Sequence, residues 1–477
     1  MKPLIDDLKV LEDTGIELNV AGVSRTIKGK LVTVSADNLS AHDLGGFQRH
    51  FNSGRICRTC FIDHTEIADR FVEEDVQLRT PEMHAYHLNG IRANPKNASV
   101  YGIRTQSAFA PLQTDVNRTD FFPHDIMHDI LEGVIPITVR QVLIHFTRTG
   151  SVTLQNLNDS LDKCELSIPS NRPNHLTQSA ISSHLSGSAS HKFELFLLLP
   201  RLLSAHVDLS VANPFWDVYL LLREIVDIVF APVVELGHLS DLQGLIASFL
   251  RTFVEVIGQD KMVPKFHYML HYPRQIRLLG PLRNLWCMRF EGKHQYFKKM
   301  AVVSNNHKNI ALTLAKRHQM RQCWELSSDD LLQPVVSACR SKHYKFSAFA
   351  SGIREAVTSV LGVSVESDEV IAVVSSLSKC GGKLLANKVY VVDVVEEEQV
   401  PFFCFVKHII NVRDTWLLCF RLLLPNKFVK CYHAFSVSIN EGWFVVRPQE
   451  LLDPHPVDLF CIGKQLFVNL RYAVIKQ

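Results

Sequence analysis

The chain has 477 residues, of which 47% are hydrophobic and 21% are charged, and its formal net charge is +3. A chain of this length is expected to form two or three units, and the composition is that of a globular protein with a sizeable core. The near-neutral charge excludes a uniformly basic protein. Any nucleic-acid-binding surface must therefore be a local one.

The chain shows no targeting or membrane-spanning segment that we recognise. Asp6 and Asp7 stand where a signal peptide would be apolar, and the apolar stretch 218–236 is interrupted by Arg223, Glu224 and Asp227. Eleven cysteines, an odd number scattered over a long chain, argue against a disulfide framework. We expect a soluble intracellular protein with mostly reduced thiols and no membrane contact.

The first 120 residues predict a mixture of short elements. Apolar residues on one face between 4 and 11 predict a helix that runs into a strand at 16–20. Residues 28–37 are apolar and β-branched and predict a buried strand that ends on Asp37. Residues 61–120 are polar and weakly periodic, which predicts a loop-rich connection with short helices.

The middle of the chain predicts mostly helices. Pro136 is expected to kink or end the first of them. Residues 167–190 are rich in Ser, Asn, Pro and His and predict an exposed linker. The predicted helical stretches are 125–146, 191–258, 264–279 and a helix through Glu291 to residue 300.

After about residue 345 the pattern changes to short β-rich runs separated by turn residues. This pattern predicts a small all-β domain, either a barrel or a sandwich. The runs are 370–374, 388–395, 402–412, 416–424 and 466–475.

The most uneven charge lies between residues 261 and 321, where thirteen Lys and Arg accompany one acid, Glu291. One interpretation is that Glu291 is a helix-surface acid paired to Lys298 or Arg289. The other is that Glu291 holds a divalent cation beside a phosphate backbone that the basic residues grip.

Two short motifs have metal-ligand spacing. Cys57 and Cys60 form a CxxC pair, and His267 and His271 lie one helical turn apart, so each pair can face one tetrahedral ion. A redox or merely buried cysteine pair, and two unrelated helix histidines, are the alternatives. His64 is a competing ligand for the cysteines.

Two further acids, Asp37 and Asp125, lie at positions where acids can be metal ligands or active-site residues. Asp37 is predicted at a strand end, where it either enters a cleft as a metal ligand or begins a turn with Asn38. Asp125 and His128 form a DxxH motif on one helical face, where the His can contact a phosphate or orient an active-site acid. Alone, each motif is weak.

The order of these motifs resembles cut-and-paste DDE transposases with an RNase H-like core. The residues within the motifs are similar to those of animal transposase-derived proteins related to the CACTA (En/Spm) group. The spacing of the motifs is similar to that in Transib transposases and in the vertebrate antigen-receptor recombinase derived from them. The matching segments are residues 35–39 (SADNL), 44–47 (LGGF), 57–60 (CRTC), 78–80 (LRT), 125–134 (DIMHDILEGV), 271–274 (HYPR), 285–291 (LWCMRFE) and 314–320 (LAKRHQM).

The resemblance implies a role for each motif. Asp37 would be the second catalytic Asp and Glu291 the catalytic Glu, with Asp125 and His128 near the active site. Cys57, Cys60, His267 and His271 would hold a structural zinc, and Mg²⁺ would serve the ancestral strand cleavage and transfer. DNA contacts, non-specific to weakly specific, would come from Arg289, Lys293, Lys298, Lys299, Lys316 and Arg317.

The resemblance also implies an architecture and a location. We expect an α/β fold, namely an incomplete RNase H-like core with a large α-helical insertion and a C-terminal small all-β domain. The protein would be nuclear, or otherwise cytoplasmic, and compatible with a homo-oligomer. The predicted parts are a partial core with the CxxC at 1–128, a helical insertion at 129–265, the histidine, Glu291 and basic segments at 266–345, and the β-rich domain at 346–477.

One departure from the family bears on activity. The family's first catalytic Asp lies on the first core strand, upstream of where this chain begins, and Asp6 and Asp7 fall on a helix instead. We therefore expect a truncated transposase-derived protein that is inactive alone. The alternatives are a non-catalytic, zinc-stabilised protein that binds DNA or protein, and a zinc hydrolase built on Cys57, Cys60 and His64.

Overall fold

The structure is a computed structural model that describes residues 1–112, 120–306, 308–327, 336–379, 382–395 and 399–476. Its α-helices are α1 (Lys2–Asp13), α2 (Asn38–Gly45), α3 (Pro81–Ala93), α4 (Asn97–Tyr101), α5 (Ile135–Arg148), α6 (Leu154–Asp162), α7 (Gln178–Ser182), α8 (Ala189–Ser204), α9 (Pro214–Val229), α10 (Leu239–Val256), α11 (Pro264–Tyr268), α12 (Tyr272–Leu279), α13 (Met288–Ser304), α14 (Ile310–Leu326) and α15 (Ser351–Leu361).

The strands concentrate in the last third of the chain. They are β1 (Ile16–Val20), β2 (Val23–Ile27), β3 (Val336–Ala338), β4 (Lys342–Lys345), β5 (Val370–Val374), β6 (Ser376–Lys379), β7 (Gly382–Leu385), β8 (Lys388–Val395), β9 (Val400–Val412), β10 (Thr415–Val429), β11 (Ala434–Val446), β12 (Asp453–Ile462) and β13 (Gln465–Asn469).

The chain forms two compact units. The first contains Met1–Ser151, Leu176–Phe196 and Ala212–Met288. The second contains Val152–His175, Leu197–Val211 and Arg289–Gln477.

The first unit begins with the predicted helix and strand, α1 and β1. β1 pairs with β2 in an exposed two-stranded hairpin. The prediction of a buried strand at 28–37 is wrong, because these residues form no regular element. The Val34 amide donates to the Phe121 carbonyl over 2.9 Å, and Asp37 then caps α2. The apolar run packs without joining a sheet.

The core of the first unit is helical, as predicted. A π-helical segment, Met127–Val134, continues into α5. Pro136 lies next to this junction, so the helix continues through the predicted kink or break with a change of hydrogen-bond pattern from π to α. Together the π-helical segment and α5 form a helix, Met127–Arg148, that is long and apolar enough to cross a membrane. The sequence analysis predicted a helix here, at 125–146, but did not consider it as a membrane span. Most of this helix is buried in the protein, as is usual for a core helix.

Two other predictions for the middle of the chain need correction. The stretch 167–190 is not simply an exposed linker, because Leu176, Ile181 and Leu185 are buried. The stretch 264–279 is not one helix, because the turn Met269–His271 is 3₁₀-helical and separates α11 from α12.

The second unit contains a closed antiparallel ring of six strands. Their order around the ring is β9, β10, β11, β13, β12 and β8, and β8 pairs again with β9. β5 and β4 extend the sheet from β9, so the β-rich runs do form a barrel. Each ring strand supplies a residue to one apolar cluster, namely Val389, Phe403, Leu423, Val437, Val457 and Val468.

The fold is thus a mixture of helices and strands with a large antiparallel sheet near the C-terminus. That much agrees with the predicted α/β class and the C-terminal β region. The RNase H-like core and the four-part division of the chain stay predictions.

Candidate metal centre

The CxxC and the histidine pair meet in the interior of the first unit. Cys57 and Cys60 lie in a loop in which Cys60 bridges to Leu78, whereas His267 belongs to α11 and His271 ends the 3₁₀ turn that follows. All four side chains are buried, and their ligand atoms lie within 4.8 Å of one another.

The spacing of these atoms matches the edges of a tetrahedron around a metal ion. Nε2 of His271 lies 3.3 Å from Nε2 of His267 and 3.5 Å from Sγ of Cys57, and Sγ of Cys60 lies 3.2 Å from Nε2 of His267. Around zinc, with bonds of roughly 2.0 Å to nitrogen and 2.3 Å to sulfur, these edges would be about 3.3 Å between nitrogens and about 3.5 Å between nitrogen and sulfur. The group can therefore hold a metal ion and is compatible with a structural zinc.

Electrostatics favour a thiolate in this group. Burial raises the pKa of the Cys57 thiol, but the hydrogen bond with Cys60 and the charge of His271 outweigh it and hold that pKa well below its usual value. The thiolate is the form that binds a metal ion. The surroundings of Cys57 therefore favour its metal-binding form.

Two charged side chains, Glu73 and Arg79, contact the ligands or the loop that holds them. Nδ1 of His271 lies 2.7 Å from Oε1 of Glu73, the carboxylate–imidazole contact that fixes the orientation of a metal-bound histidine. The Arg79 Nε–H donates to the carbonyls of Cys57 and Cys60, over 3.1 Å each, and so fixes the loop between them. Glu73 and Arg79 were missed because each is distant in sequence from at least one of the two motifs.

His64 is not part of the group. It begins a short 3₁₀ turn, His64–Glu66, and neither of the metal-binding groups in the described part of the chain includes it. Four protein ligands would also close the coordination sphere, which leaves no open position for water. The zinc hydrolase built on Cys57, Cys60 and His64 is therefore not supported.

Arg58, inside the CxxC, ties this loop to the segment before Asp125. Its guanidinium donates to the Phe122 and Pro123 carbonyls over 2.8 Å each and to Oδ1 of Asn38 over 2.9 Å. The loop with the cysteines therefore helps to position both Asn38, next to Asp37, and Asp125.

Asp125 and His128 are brought together as predicted. Nδ1 of His128 lies 2.5 Å from Oδ2 of Asp125, while Oδ1 of Asp125 accepts from the Met127 amide over 3.1 Å and the Cys287 amide over 3.0 Å. Asp125 is buried and His128 is partly exposed. This hydrogen bond fixes the orientation of the imidazole relative to the carboxylate. The two roles predicted for His128, contact with a phosphate and orientation of an active-site acid, stay predictions.

Cys287 completes a second group with Asp125 and His128, whose ligand atoms also lie within 4.8 Å. The 2.5 Å between Asp125 and His128 is a hydrogen-bond length. Two ligands of one ion would stand about 3.3 Å apart. We therefore interpret this group as a hydrogen-bonded pair beside a buried thiol and not as a metal site.

Of the two alternatives for Asp37, the structure agrees with an Asp that begins a turn at Asn38, here the first turn of α2. The catalytic role that the resemblance implies stays a prediction. Both carboxylate oxygens of Asp37 accept hydrogen bonds over 2.8 Å from Ser40, Oδ1 from the amide and Oδ2 from the hydroxyl. Burial raises the pKa of Asp37, but these hydrogen bonds and the charge of His128 lower it more. Asp37 caps α2 and shares an electrostatic environment with His128.

Asp129, which the sequence analysis did not single out, is fully buried between these groups. It accepts hydrogen bonds from Nδ2 of Asn38 over 2.6 Å and from the Tyr272 hydroxyl over 3.3 Å. Burial raises the pKa of its carboxyl to about 7. A chain of contacts therefore runs from Arg58 through Asn38 and Asp129 to Tyr272, the residue after His271.

Glu291 and the predicted DNA-binding residues belong to the second unit. Glu291 lies in the first turn of α13, and its side chain is exposed. Neither α13 nor α14 has a buried residue. The predicted DNA-binding residues are all exposed on these helices, namely Arg289, Lys293, Lys298, Lys299, Lys316 and Arg317.

No known protein family matches this chain, and no curated protein matches it.

Proposed function

We propose that this protein is derived from a DDE transposase, that it holds a structural zinc, and that it binds DNA without cleaving it. The proposal depends on one observation. Cys60 and His267 are 207 positions apart in sequence and come within 3.2 Å, and Cys57 and His271 come within 3.5 Å. The resemblance to the transposases implied this junction of CxxC and HxxxH from motif order alone.

The donor set supports zinc over Mg²⁺ in this group. Two cysteines and two histidines suit zinc, whereas Mg²⁺ prefers carboxylate, carbonyl and water oxygens. A closed set of four ligands also suits a structural ion better than a catalytic one. A zinc here would hold α11 and the following turn against the cysteine loop.

The contacts of Asp37 and Asp125 support the proposal that the protein does not cleave DNA. Ser40 occupies both oxygens of Asp37, and Asp125 already accepts from His128 and two backbone amides. In the described part of the chain, neither candidate metal group contains two carboxylates. Two-metal phosphodiester chemistry needs carboxylates that share the ions.

The cations of α13 and α14 support DNA as the partner. Lys and Arg that neutralise phosphates release counterions, so binding falls steeply with salt and depends little on sequence. The exposed Lys and Arg side chains of α13 and α14 can neutralise phosphates in this way. A non-catalytic protein whose zinc-stabilised unit binds another protein is the second candidate.

DNA binding separates the two candidates. We expect labelled duplex DNA to bind the wild type, and Lys298→Gln with Lys299→Gln to weaken binding about tenfold and to reduce the salt slope by about two. The matched control is Lys30→Gln with Lys96→Gln, which removes two exposed charges from the first unit. Equal binding by both double variants would exclude Lys298 and Lys299 from the DNA-binding surface, and absence of duplex binding by the wild type would favour the protein-binding candidate.

Cleavage is tested in the same preparation. With Mg²⁺ or Mn²⁺ we expect no nicking of supercoiled DNA. Metal-dependent nicking that disappears in Glu291→Gln would contradict the non-catalytic part of the proposal, while leaving the zinc centre untouched.

A further inference from the structure

Three neighbouring strands of the barrel bring cations and aromatic rings onto one face. Arg421 of β10 stands directly opposite Phe405 of β9 on one side and Trp443 of β11 on the other. Directly paired residues of antiparallel strands place their side chains on the same face. Phe405, Arg421 and Trp443 therefore form a row across the sheet.

Two cations, Arg421 in this row and Lys407 beside it, lie against aromatic rings. The Arg421 guanidinium carbon is 4.0 Å from the centre of the Trp443 ring, and Nζ of Lys407 is 3.7 Å from the centre of the Phe405 ring. The imidazole of His408 stacks near Trp443, with ring centres 6.0 Å apart. The contacts with the rings restrain both cations.

Neither cation has an acidic partner in the part of the chain that the structure describes. No carboxylate oxygen there lies within 4 Å of Lys407 or Arg421. Nη1 of Arg421 is screened from solvent and has no hydrogen-bond partner among the described residues. A screened donor without an acceptor costs free energy, so this arrangement would be stabilised by an added acceptor.

The cations also act on each other. Burial and the charge of Arg421 lower the pKa of Lys407, and burial and the charge of Lys407 lower the pKa of His408. Like charges held together without a counter-charge are typical of sites that receive an anion. Neutral side chains would pack equally well here, so packing of the barrel does not explain these charges.

We propose that Lys407, Arg421 and His408 form a binding site for a phosphate-type oxyanion. Arg421 supplies a planar guanidinium fork, Lys407 a compact positive charge and His408 a ring N–H, which are the donors that such an anion uses. The anion can be the phosphodiester of a single-stranded nucleic acid or a free phosphate compound. This site is separate from the zinc centre and from α13 and α14, so it does not depend on the function proposed above.

The first experiment asks whether the oxyanion binds. Melting of the full chain is compared in sodium pyrophosphate and in sodium chloride of the same ionic strength. We expect pyrophosphate to raise the melting temperature of the wild type by roughly 2–4 °C. Arg421→Met and, as a second variant, Lys407→Met should lose this rise.

Lys427→Met is the matched control, because Lys427 is an exposed cation on the same strand, β10. It should retain the rise. The absence of any rise in the wild type, or an equal rise in Arg421→Met and Lys407→Met, would overturn the proposal.

A second measurement identifies the source of the anion. Anisotropy of a labelled single-stranded oligonucleotide is recorded with the same variants. About tenfold weaker binding by Arg421→Met, with Lys427→Met unchanged, supports a nucleic-acid phosphodiester as the ligand. Stabilisation by pyrophosphate together with equal oligonucleotide binding supports a free phosphate compound.

Discussion

Nδ1 of His271 lies 2.7 Å from Oε1 of Glu73, and Nε2 of the same ring lies 3.5 Å from Sγ of Cys57. The carboxylate thus fixes which nitrogen points toward the cysteines. Glu73 belongs to a short 3₁₀ turn, Glu73–Asp75, outside both metal-ligand motifs. Substitution of Glu73 therefore tests whether the four buried side chains act as metal ligands.

Glu73→Gln should weaken zinc binding without removing a ligand. An amide is a weaker acceptor for the imidazole N–H, and loss of such an outer contact typically lowers metal affinity about 10–100-fold. The measurement is competition with a chromogenic chelator. Glu74→Gln, at an exposed neighbouring position, should behave as the wild type, and equal affinity of both variants would contradict a ligand role for His271.

Asp129 should make stability depend on pH. The unfolded carboxyl loses its proton near 3.8 and the folded one near 7. Between these values the folded state holds the additional proton, so the free energy of unfolding should fall as pH rises from about 4 to about 7 and then level off. Urea unfolding at several pH values measures this slope.

Asp129→Asn should flatten that slope and be more stable than the wild type at pH 8 by about 1–3 kcal/mol, because no buried charge forms. Asp7→Asn, on the exposed surface of α1, should keep the wild-type slope. A slope unchanged in Asp129→Asn would show that Asp129 titrates normally.

Asp37 should behave as a helix cap. Asp37→Ala removes both acceptors for Ser40 and should cost about 1 kcal/mol of stability, whereas Asp37→Asn keeps one acceptor and should cost much less. Urea unfolding distinguishes them. Equal losses in the two variants would indicate that the charge of Asp37, and not its capping oxygen, stabilises this part of the chain.

Local spacing explains what the sequence could predict about the site. The pairs Cys57 and Cys60, and His267 and His271, each lie within five consecutive residues, so their geometry follows from a loop or a helical turn. The resemblance joined the two pairs. The C-terminal barrel was foreseeable from alternating β-rich runs, although β11 and β12 were not singled out.

The predictions from the sequence failed where one local signal competed with another or where the contacts join distant residues. The apolar run before Asp37 suggested a strand, but the Asp-Asn-Leu-Ser sequence that follows begins a helix with Asp37 as its cap. Glu73, Asp129 and Cys287 were missed because the partners of these residues are 91 to 198 residues away in sequence. No periodicity encodes such contacts.

The most direct test of the proposed function is zinc per chain in purified protein, for the wild type and for the double variant His267→Ala with His271→Ala. We predict about one zinc per chain in the wild type and none in the double variant, with His64→Ala retaining the ion. Wild-type protein without zinc, or zinc that remains in the double variant, would contradict a centre shared by the CxxC and the two histidines.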